Sequence, residues 1–313
     1  MTNKSVSQQI LALRCIFADN PAYFDLHKRF HQLLEHRRAE LAAGVTNEAR
    51  GIALIGSSGS GKTTAVKRLI RSLDSPLNEN REGTSCEVLS FPVPSPATLK
   101  FVGQTGLQAI GYPLRRDKTS HIIWDMFKDH LRARRTLFLH LDEAQDLASH
   151  QTPREMQSVI NTLKSLMQNQ QWPVGMILSG MPALKEMLNH DPQLARRFFP
   201  IEFPSLNAVQ DTEQVLCTVS YYSQHAELPV CDDLLTPSFA ARLIQAADGE
   251  FGLMIEYTIL AIENALRQGS SELGIANFRS SFSTKSGCLD GLNPFVVADF
   301  ERIDCRKLLA GVV

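Results

Sequence analysis

A glycine-rich segment constrains the fold of this chain more than any other feature. Residues 56–63 read GSSGSGKT and match the pattern G-x-x-x-x-G-K-[S/T] in full. An apolar run at residues 51–55 predicts a buried strand before the segment, and residues 65–73 predict a helix after it. A strand, a glycine-rich turn and a helix in this order are typical of a phosphate-binding loop, because the turn and the helix N-terminus direct backbone N–H groups at one anion.

The residues of this loop have separate expected roles in holding a nucleoside triphosphate. We expect Lys62 to reach the β- and γ-phosphates and the Thr63 hydroxyl to ligate Mg²⁺. The glycines allow the backbone to curl so that its N–H groups face the phosphates. The predicted nucleotide-binding residues are Gly56, Ser57, Ser58, Gly59, Ser60, Gly61, Lys62, Thr63 and Thr64.

Two carboxylates follow an apolar run farther along the chain. Residues 137–141 read LFLHL, and Asp142 and Glu143 come directly after them. Because successive strand residues point to opposite faces, the two acids need not share one task. We expect Asp142 to hold Mg²⁺, directly or through water, and Glu143 to polarise a water for attack on the γ-phosphate. This pairing favours hydrolysis over transfer of the phosphoryl group to a bound acceptor.

Two further polar positions are candidates for the same site. Ser179 follows a predicted strand at residues 174–178, where it would orient the attacking water or the γ-phosphate; a simple turn residue is the alternative. Arg196 and Arg197 end a short predicted helix and would enter the nucleotide site of a neighbouring subunit as an arginine finger. A surface pair stabilised by the dipole at a helix C-terminus is the alternative.

Strands and helices alternate up to about residue 204, after which the periodicity is helical. Apolar runs predict strands at residues 51–55, 86–91, 136–141 and 174–178, with helices between them. This alternation predicts a parallel sheet flanked by helices, followed by a smaller all-helical domain. The predicted divisions are a helical extension at 1–45, an α/β nucleotide-binding domain at 46–205, a helical domain at 206–268, and a linker with a C-terminal tail at 269–313.

The composition is that of an ordinary globular protein of roughly two domains. The formal net charge of −1 over 313 residues excludes a chain that binds nucleic acid through bulk positive charge. No run approaches the roughly 18 apolar residues of a membrane helix, and the first ten residues lack the apolar core of a signal peptide. The six cysteines are scattered and form no C-x-x-C pair, which is typical of reduced thiols. We therefore predict a soluble intracellular protein with no membrane partner.

In combination, these motifs resemble those of the AAA+ ATPases. The glycine-rich loop, the adjacent Asp142 and Glu143, the polar residue after the next strand and the helix ending in ARRF follow the order of that superfamily. The helices after Pro204 resemble an AAA+ lid. More narrowly, the segments LHLDEAQDL, LSGMPALKEML and DPQLARRF are similar to the TniB/TnsC group of transposition regulators, which resemble the phage Mu target-capture ATPase in role. The resemblance covers residues 20–268.

This resemblance implies an ATP-dependent homo-oligomer on DNA. In that group, ATP binding assembles subunits into a ring or helical filament around duplex target DNA. The assembly recruits a transposase, and ATP hydrolysis disassembles it. The implied cofactors are ATP and Mg²⁺, and the implied partners are double-stranded DNA, a transposase and a target-selection adaptor. The implied location is the bacterial cytoplasm.

The resemblance also implies roles for individual residues and reveals one departure from the family pattern. The sensor position falls on Ser179, and the finger falls on Arg197 or Arg196, with Arg197 preferred because it directly precedes Phe198. Many AAA+ lids open a helix with an arginine that contacts the γ-phosphate, whereas residues 249–254 read GEFGLM. Either the lid senses nucleotide differently, or hydrolysis is slow and depends on partners. The nucleotide roles fall on Lys62, Thr63, Asp142 and Glu143.

The expected DNA contact is a helical insertion near residues 95–134. Residues 100–135 hold eight basic and three acidic side chains, whereas residues 201–260 hold one basic and nine acidic side chains. Initiator-type AAA+ proteins carry an insertion in this region that faces DNA. Without interleaved aromatic residues, we expect sequence-independent contact with phosphates; a solvated basic loop is the alternative. The candidate DNA-binding residues are Lys100, Gln104, Thr105, Arg115, Arg116 and Lys118.

Two other classes of function use the same loop. A small-molecule kinase would need an acceptor pocket and would gain little from Glu143 or from an arginine supplied by a neighbour. A helicase loader or a secretion-type ATPase shares the AAA+ motifs, so the sequence separates these poorly from a transposition regulator.

Overall fold

The computed structural model describes residues 5–73, 86–149 and 152–306. Contacts between residues divide the chain into two compact units. The sheet unit comprises Asp19–Ser57 and Lys62–Phe203, and the helical unit comprises Met1–Ala18, Ser58–Gly61 and Pro204–Val313. In the described part of the chain, no helix combines the length and the apolar character needed to cross a membrane.

Over the described residues, five parallel strands form one sheet in the order β2-β3-β4-β1-β5. Strands β1 and β4 are buried at every residue, as expected for parallel strands packed between helices. Strand order places the carboxyl ends of β3, β4 and β1 side by side, and ligands of open α/β sheets bind at such ends. The strands are β1 (Gly51–Ile55), β2 (Val88–Pro92), β3 (Phe138–Asp142), β4 (Gly175–Gly180) and β5 (Phe198–Glu202).

Strand β5 was not among the predicted strands. Its sequence, FFPIE, contains a proline that cannot donate to a strand ladder and follows directly on a short helix. The structure accommodates Pro200 because β5 lies at the edge of the sheet and pairs on one side only, with β1. The other four strands match their predicted positions to within two residues at each end.

Four of the seven helices described in the sheet unit begin at residues whose side chains accept a capping hydrogen bond. The Asn20 side chain accepts a hydrogen bond from the Ala22 N–H at 2.8 Å, and Pro21 occupies the first turn, where its missing N–H costs nothing. Thr152 and Glu155 form a reciprocal capping box at the start of another helix. The helices are α2 (Pro21–Ala42), α3 (Lys62–Arg71), α4 (Leu99–Ala109), α5 (Ser120–Ala133), α6 (Pro153–Met167), α7 (Ala183–Asn189) and α8 (Pro192–Ala195).

Helices α4 and α5 form a closely packed hairpin, which is the predicted insertion. A Cβ added at Gly103 would lie 2.7 Å from Ile123 Cγ2, and one added at Gly106 would lie 2.8 Å from the Phe127 ring. The two glycines therefore allow the helices to approach at a distance that a larger residue would prevent. The Trp124 indole N–H donates to the Leu99 carbonyl at 3.0 Å and ties the two helices together at one end.

The helical unit corrects two predicted boundaries. The stretch at 269–313 is predicted as a linker and tail, but residues 275–286 within it form a helix whose Phe278 and Phe282 side chains are fully buried. The predicted extension at 1–45 is divided, because residues up to Ala18 group with the helical unit and α2 belongs to the sheet unit. Residues 307–313 of the predicted tail lie outside the described residues. The helices are α1 (Val6–Cys15), α9 (Thr212–His225), α10 (Pro237–Ala246), α11 (Phe251–Gln268) and α12 (Ile275–Ser286).

Candidate nucleotide-binding site

The glycine-rich loop runs from the end of β1 into the first residue of α3. Gly59 and Gly61 have φ angles of +85° and +98°, which residues with a side chain rarely adopt, so the loop requires glycine at both positions. The Lys62 Nζ donates to the carbonyl oxygens of Gly56 and Ser57, both at 2.8 Å. Lys62 is thus held over the loop, where it can reach phosphate oxygens.

The predicted loop residues differ in their exposure. Gly56, Ser60 and Lys62 are buried, whereas Ser58, Gly59 and Thr64 are exposed. Ser57, Gly61 and Thr63 are partly buried. A loop with its lysine folded inward and other residues open to solvent fits a phosphate chain better than a bulky apolar ligand.

Asp142, at the end of β3, receives hydrogen bonds from two hydroxyl groups. The Thr63 Oγ1 donates to one carboxylate oxygen at 2.7 Å, and the Ser179 Oγ donates to the other at 2.6 Å. Burial acts to raise the pKa of Asp142, but the hydrogen bonds from Ser179 and Thr63, together with His140 and the Glu143 N–H, lower the pKa below its ordinary value. Asp142 is therefore a carboxylate at neutral pH.

The side chains of Thr63 and Asp142 fit Mg²⁺. A hydroxyl and a carboxylate are hard oxygen donors, and Mg²⁺ usually binds one or two such protein groups together with substrate phosphates and water. Among the described residues, no cluster of three or more His, Cys, Asp and Glu side chains could hold a metal ion through protein groups alone. The donor set therefore suits a metal ion that arrives with a nucleotide.

Glu143 follows directly after β3 with an unusual backbone conformation. Its φ and ψ of +54° and +40° are left-handed, which is uncommon for a residue with a side chain and is a feature of functional sites. The Gln145 side-chain N–H group donates to the Glu143 carboxylate at 2.9 Å. The side-chain Oε1 of Gln145 accepts from the Met181 N–H, just beyond β4, at 3.0 Å. Gln145 therefore links the position of Glu143 to the end of the neighbouring strand.

A hydrogen-bonded chain leads from Asp142 into the sheet. Beyond Ser179, the Nε2 of His140 lies 2.8 Å from the Ser179 Oγ, and the His140 Nδ1 lies 2.8 Å from the Ser90 Oγ. Burial lowers the pKa of His140 below its ordinary value, although the nearby Asp142 carboxylate opposes this shift. Neither His140 nor Gln145 was singled out from the sequence. Two signals in the sequence could have identified them. His140 is a polar residue inside an apolar strand, and Gln145 follows Glu143 by two residues.

The two candidate finger residues have opposite environments. Arg197, the preferred candidate, is 1% exposed; its guanidinium donates to the Gln193 carbonyl at 2.7 Å and is paired with Glu48. The Arg196 side chain is exposed. A finger has to reach into a neighbouring subunit, so the geometry favours Arg196 and argues against the preference for Arg197.

The candidate DNA-binding residues lie on α4 and on the loop that joins it to α5. Lys100 pairs with Asp117 at 2.6 Å, and the Thr105 hydroxyl donates to the Phe101 carbonyl of its own helix at 3.0 Å. Lys118 is partly buried, whereas Arg115 and Arg116 are exposed. Gln104 is also partly buried on α4. Arg115 and Arg116 are therefore the most accessible of the six candidates, and Lys100 is partly neutralised by its ion pair.

The segment that lacks the lid arginine lies at the start of α11. Within the helical unit, the Leu253 N–H donates to the Gly59 carbonyl at 3.0 Å, and a Cβ at Gly252 would lie 2.6 Å from the same oxygen. The buried Glu250 carboxylate accepts from the Ser205 hydroxyl at 3.0 Å. A glycine and a buried acid thus occupy this segment.

Comparison with protein families gives one match that covers more than half of the chain. A family model described as "TniB: Bacterial TniB protein" matches residues 17–208. These residues include the glycine-rich loop, the acid pair, Ser179 and both candidate finger arginines. Among curated protein sequences, no match is found.

The fold is similar to solved structures of Cdc6p and of two ORC proteins. Cdc6p from Pyrobaculum aerophilum has a TM-score of 0.62 and 15% identity, with coverage of 87% of this chain and 70% of that one. The Orc1 protein of Aeropyrum pernix, in complex with DNA, has a TM-score of 0.62 and 16% identity, covering 89% and 69%. Its Orc2 protein, in complexes with ADPNP and ADP, has a TM-score of 0.55 and 18% identity, covering 83% and 70%. The predicted AAA+ fold, a parallel sheet with flanking helices followed by a helical domain, is confirmed.

Proposed function

The chain belongs to the TniB family, and we propose that it is an ATP-hydrolysing regulator of DNA transposition in the bacterial cytoplasm. In its ATP-bound form it assembles as a ring or helical filament on double-stranded DNA. There it recruits or activates a transposase, directly or through a target-selection adaptor, and hydrolysis disassembles the filament. The observation that carries the proposal is the cluster at the carboxyl ends of the strands, where Thr63 and Ser179 both donate to Asp142 beside Glu143.

ATP binding is assigned to the glycine-rich loop. The loop N–H groups and the N-terminus of α3 take the phosphate oxygens, and the Lys62 ammonium exchanges its two carbonyl partners for the β- and γ-phosphates. Thr63 and Asp142 would hold Mg²⁺, and the ion would supply Lewis-acid stabilisation of the phosphate charge. The complexes of the Orc2 neighbour with ADPNP and ADP support nucleotide binding by a chain of this fold.

Hydrolysis is assigned to Glu143, which accepts a proton from the attacking water. The Gln145 hydrogen bond holds one of its carboxylate oxygens and leaves the other for the water. The Ser179 hydroxyl lies at the end of the neighbouring strand, where it can orient the γ-phosphate or the water. Hydrolysis therefore needs no small-molecule acceptor, in contrast to a kinase.

We assign to Arg196 the role that links assembly of subunits to ATP hydrolysis. Its exposed side chain is available to the nucleotide of a neighbouring subunit, where a guanidinium would stabilise negative charge in the transition state. The absence of an arginine from residues 249–254 makes such a contribution from a neighbour more important. ATP turnover should therefore rise with assembly on DNA.

DNA binding is assigned to the α4–α5 hairpin, with Arg115 and Arg116 as its main phosphate contacts. The two side chains are exposed in a region with an excess of positive charge. Contacts of this kind read no sequence and depend strongly on salt. The Orc1 neighbour in complex with DNA supports a DNA-associated role for a chain of this fold.

The proposal is tested by fluorescence anisotropy of a labelled duplex at two salt concentrations, with ADP and with a non-hydrolysable ATP analogue. We expect tight, cooperative, salt-sensitive binding with the analogue and weak binding with ADP. The Arg115→Ala/Arg116→Ala variant should lower the slope of log K against log salt by about 2, close to 0.9 for each lost phosphate contact. Arg267→Ala, which removes an exposed arginine from α11, is the matched control and should leave the slope unchanged.

Two outcomes would contradict parts of this proposal. An unchanged salt slope for the double variant would remove the hairpin from the DNA interface. Absence of duplex binding in both nucleotide states would overturn the DNA-bound regulator and favour an AAA+ switch of another class, such as a helicase loader or a secretion-type ATPase.

A further inference from the structure

A chain of hydrogen bonds crosses three neighbouring strands of the sheet and ends at Asp142. Ser90 on β2 is the register partner of His140 on β3, and Ser179 lies on β4. The Ser90 Oγ and Ser179 Oγ lie 2.8 Å from the two ring nitrogens of His140, and the Ser179 Oγ lies 2.6 Å from Asp142. His140 and Ser179 are buried, at 2% and 0% exposure. This polar chain therefore occupies an interior position that an apolar residue could fill.

The direction of each hydrogen bond follows from the groups involved. An ionised carboxylate can only accept, so the single hydroxyl hydrogen of Ser179 points at Asp142. The Ser179 oxygen can then only accept from His140, which requires a hydrogen on Nε2 whether the ring is neutral or charged. In the neutral ring, Nδ1 accepts from the Ser90 hydroxyl. The direction of donation is fixed from His140 through Ser179 to Asp142.

These residue types also occur in serine hydrolases, but the order of contacts here is different. In a hydrolase triad the carboxylate orients the histidine, and the histidine accepts the serine proton. Here the carboxylate contacts the serine, and the histidine donates to that serine. The His140 Nε2 already carries the hydrogen that it donates to Ser179, so it cannot take the Ser179 proton as a base. The arrangement orients a hydroxyl and does not create a nucleophile.

We propose that His140 is a positioning residue for ATP hydrolysis, which holds the Ser179 hydroxyl in place by donating to it from Nε2. This inference rests on the proposed ATPase activity. With His140 as its fixed donor, Ser179 has one hydrogen to give, and that hydrogen points out of the sheet to Asp142 or to a phosphate oxygen beside it. Without His140 the hydroxyl can rotate, and the buried oxygen has lost its donor. The rate of the chemical step should fall, whereas ATP binding through the loop should be unaffected.

Three substitutions at His140 distinguish the effect of its hydrogen bond to Ser179 from the effect of its side-chain volume. His140→Gln places an amide N–H near the position of Nε2 and keeps the donor. His140→Asn reaches only the position of Nδ1 and loses it, and His140→Phe fills the space without polar atoms. We expect kcat to fall about tenfold in the Asn and Phe variants, the value of one hydrogen bond, and to stay within about threefold of wild type in the Gln variant. The KM for ATP should be the same in all three.

Ser90→Ala is the matched control at the other end of the chain. Ser90 is exposed, so water can replace its hydroxyl at the His140 Nδ1, and kcat should change by less than about twofold. A nitrogen-15 NMR spectrum of the histidine side chains gives a second measurement that does not depend on turnover. It should show hydrogen on Nε2 of His140 at neutral pH, and a ring with hydrogen on Nδ1 alone would overturn the proposal.

A double-substitution cycle separates this role from a merely structural one. If His140 acts through Ser179, His140→Asn added to Ser179→Ala should lower kcat no further than Ser179→Ala alone. An independent, multiplicative loss, or wild-type kcat in the Asn variant, would overturn the inference while leaving the ATPase intact. Absence of turnover by the wild-type protein, even with duplex DNA, would instead overturn the proposed function and this inference with it.

Discussion

Asp142 connects the parts of the site at the scale of single residues. Its two carboxylate oxygens bind hydroxyls from α3 and β4, so the loop helix and two strands share one anchor. Glu143 next to it is held differently, by the Gln145 amide that also accepts from the Met181 N–H. Asp142 is thus fixed by two hydroxyls, whereas Glu143 depends on one amide side chain that contacts the residue after β4. The two adjacent acids can therefore be disturbed separately.

Replacement of Gln145 should slow hydrolysis without weakening ATP binding. Gln145→Ala removes the group that holds the Glu143 carboxylate, and we expect kcat to fall about tenfold, the value of one hydrogen bond to a charged group. The measurement is phosphate release alongside the dissociation constant of a fluorescent ATP analogue. Gln157→Ala, at an exposed glutamine on α6, should leave both quantities unchanged. A loss of ATP affinity that accounts for the loss of rate would contradict this role.

The two neighbouring arginines should give different phenotypes. Arg197→Ala leaves Glu48 without its buried partner, and we expect the free energy of unfolding to fall by about 3 kcal/mol. Arg196→Ala should leave stability unchanged and lower the ATP turnover of the assembled protein at least tenfold, while monomer binding of ATP is preserved. Thermal unfolding and turnover on duplex DNA distinguish the two effects. Full activity of a folded Arg196→Ala variant would exclude Arg196 as the finger.

Residue roles could be predicted where a local pattern carries the chemistry. The loop and the acid pair are such patterns. The structure brings Lys62, Thr63, Asp142 and Ser179 together at the carboxyl ends of the strands. His140 could not be assigned, because its partners come from two other strands that are distant in sequence. The sequence could not show that Arg197 is buried, because its burial depends on the ion pair with Glu48, about 150 residues earlier; which arginine is the finger stays a prediction.

At the scale of elements, close packing of helices decides the geometry of the α4–α5 hairpin that we propose binds DNA. Alanine is a better helix former than glycine by about 1 kcal/mol, so Gly106→Ala would stabilise an isolated α4. In the hairpin, the added Cβ would lie 2.8 Å from the rigid Phe127 ring and 3.2 Å from Phe91. The cost of overpacking is about 1–3 kcal/mol and should exceed the gain in helix propensity.

Gly106→Ala should therefore lower the free energy of unfolding by about 1 kcal/mol and weaken DNA binding by shifting α4 against α5. Gln108→Ala, an exposed site on the same helix, gains helix propensity without a clash and serves as the control. Denaturant unfolding and duplex binding are the measurements. A Gly106→Ala protein more stable than wild type would show that the hairpin has room for the added carbon.

Elements with strong periodicity were predicted within a few residues, and the two that were missed depend on tertiary contacts. Strand β5 contains a proline and is identifiable as a strand only once β1 provides an edge. Helix α12 is rich in serine, and its sequence resembles a linker. It is stabilised by burial of Phe278 and Phe282 and by contacts of Asn293 with the Arg279 carbonyl and the Ser283 hydroxyl.

At the scale of the whole molecule, charge separates the part proposed to bind DNA from the rest. The excess of basic residues lies in the insertion of the sheet unit, and the acidic segment at residues 201–260 belongs almost entirely to the helical unit. One chain supplies the nucleotide loop, the acid pair and the sensor hydroxyl. In the proposed mechanism, the arginine finger comes from a second copy of the chain. Assembly, DNA binding and hydrolysis are therefore coupled in this account through the same bound ATP.

The central claim is that Glu143 performs hydrolysis at a site that binds ATP without it. The most direct test compares ATP binding and single-turnover hydrolysis in wild type and Glu143→Gln on duplex DNA, with Glu213→Gln on α9 as the control. We predict that Glu143→Gln binds ATP as tightly as wild type, assembles on DNA and hydrolyses ATP about 100-fold more slowly or worse. Wild-type hydrolysis in Glu143→Gln, or loss of ATP binding in a folded variant, would contradict the account.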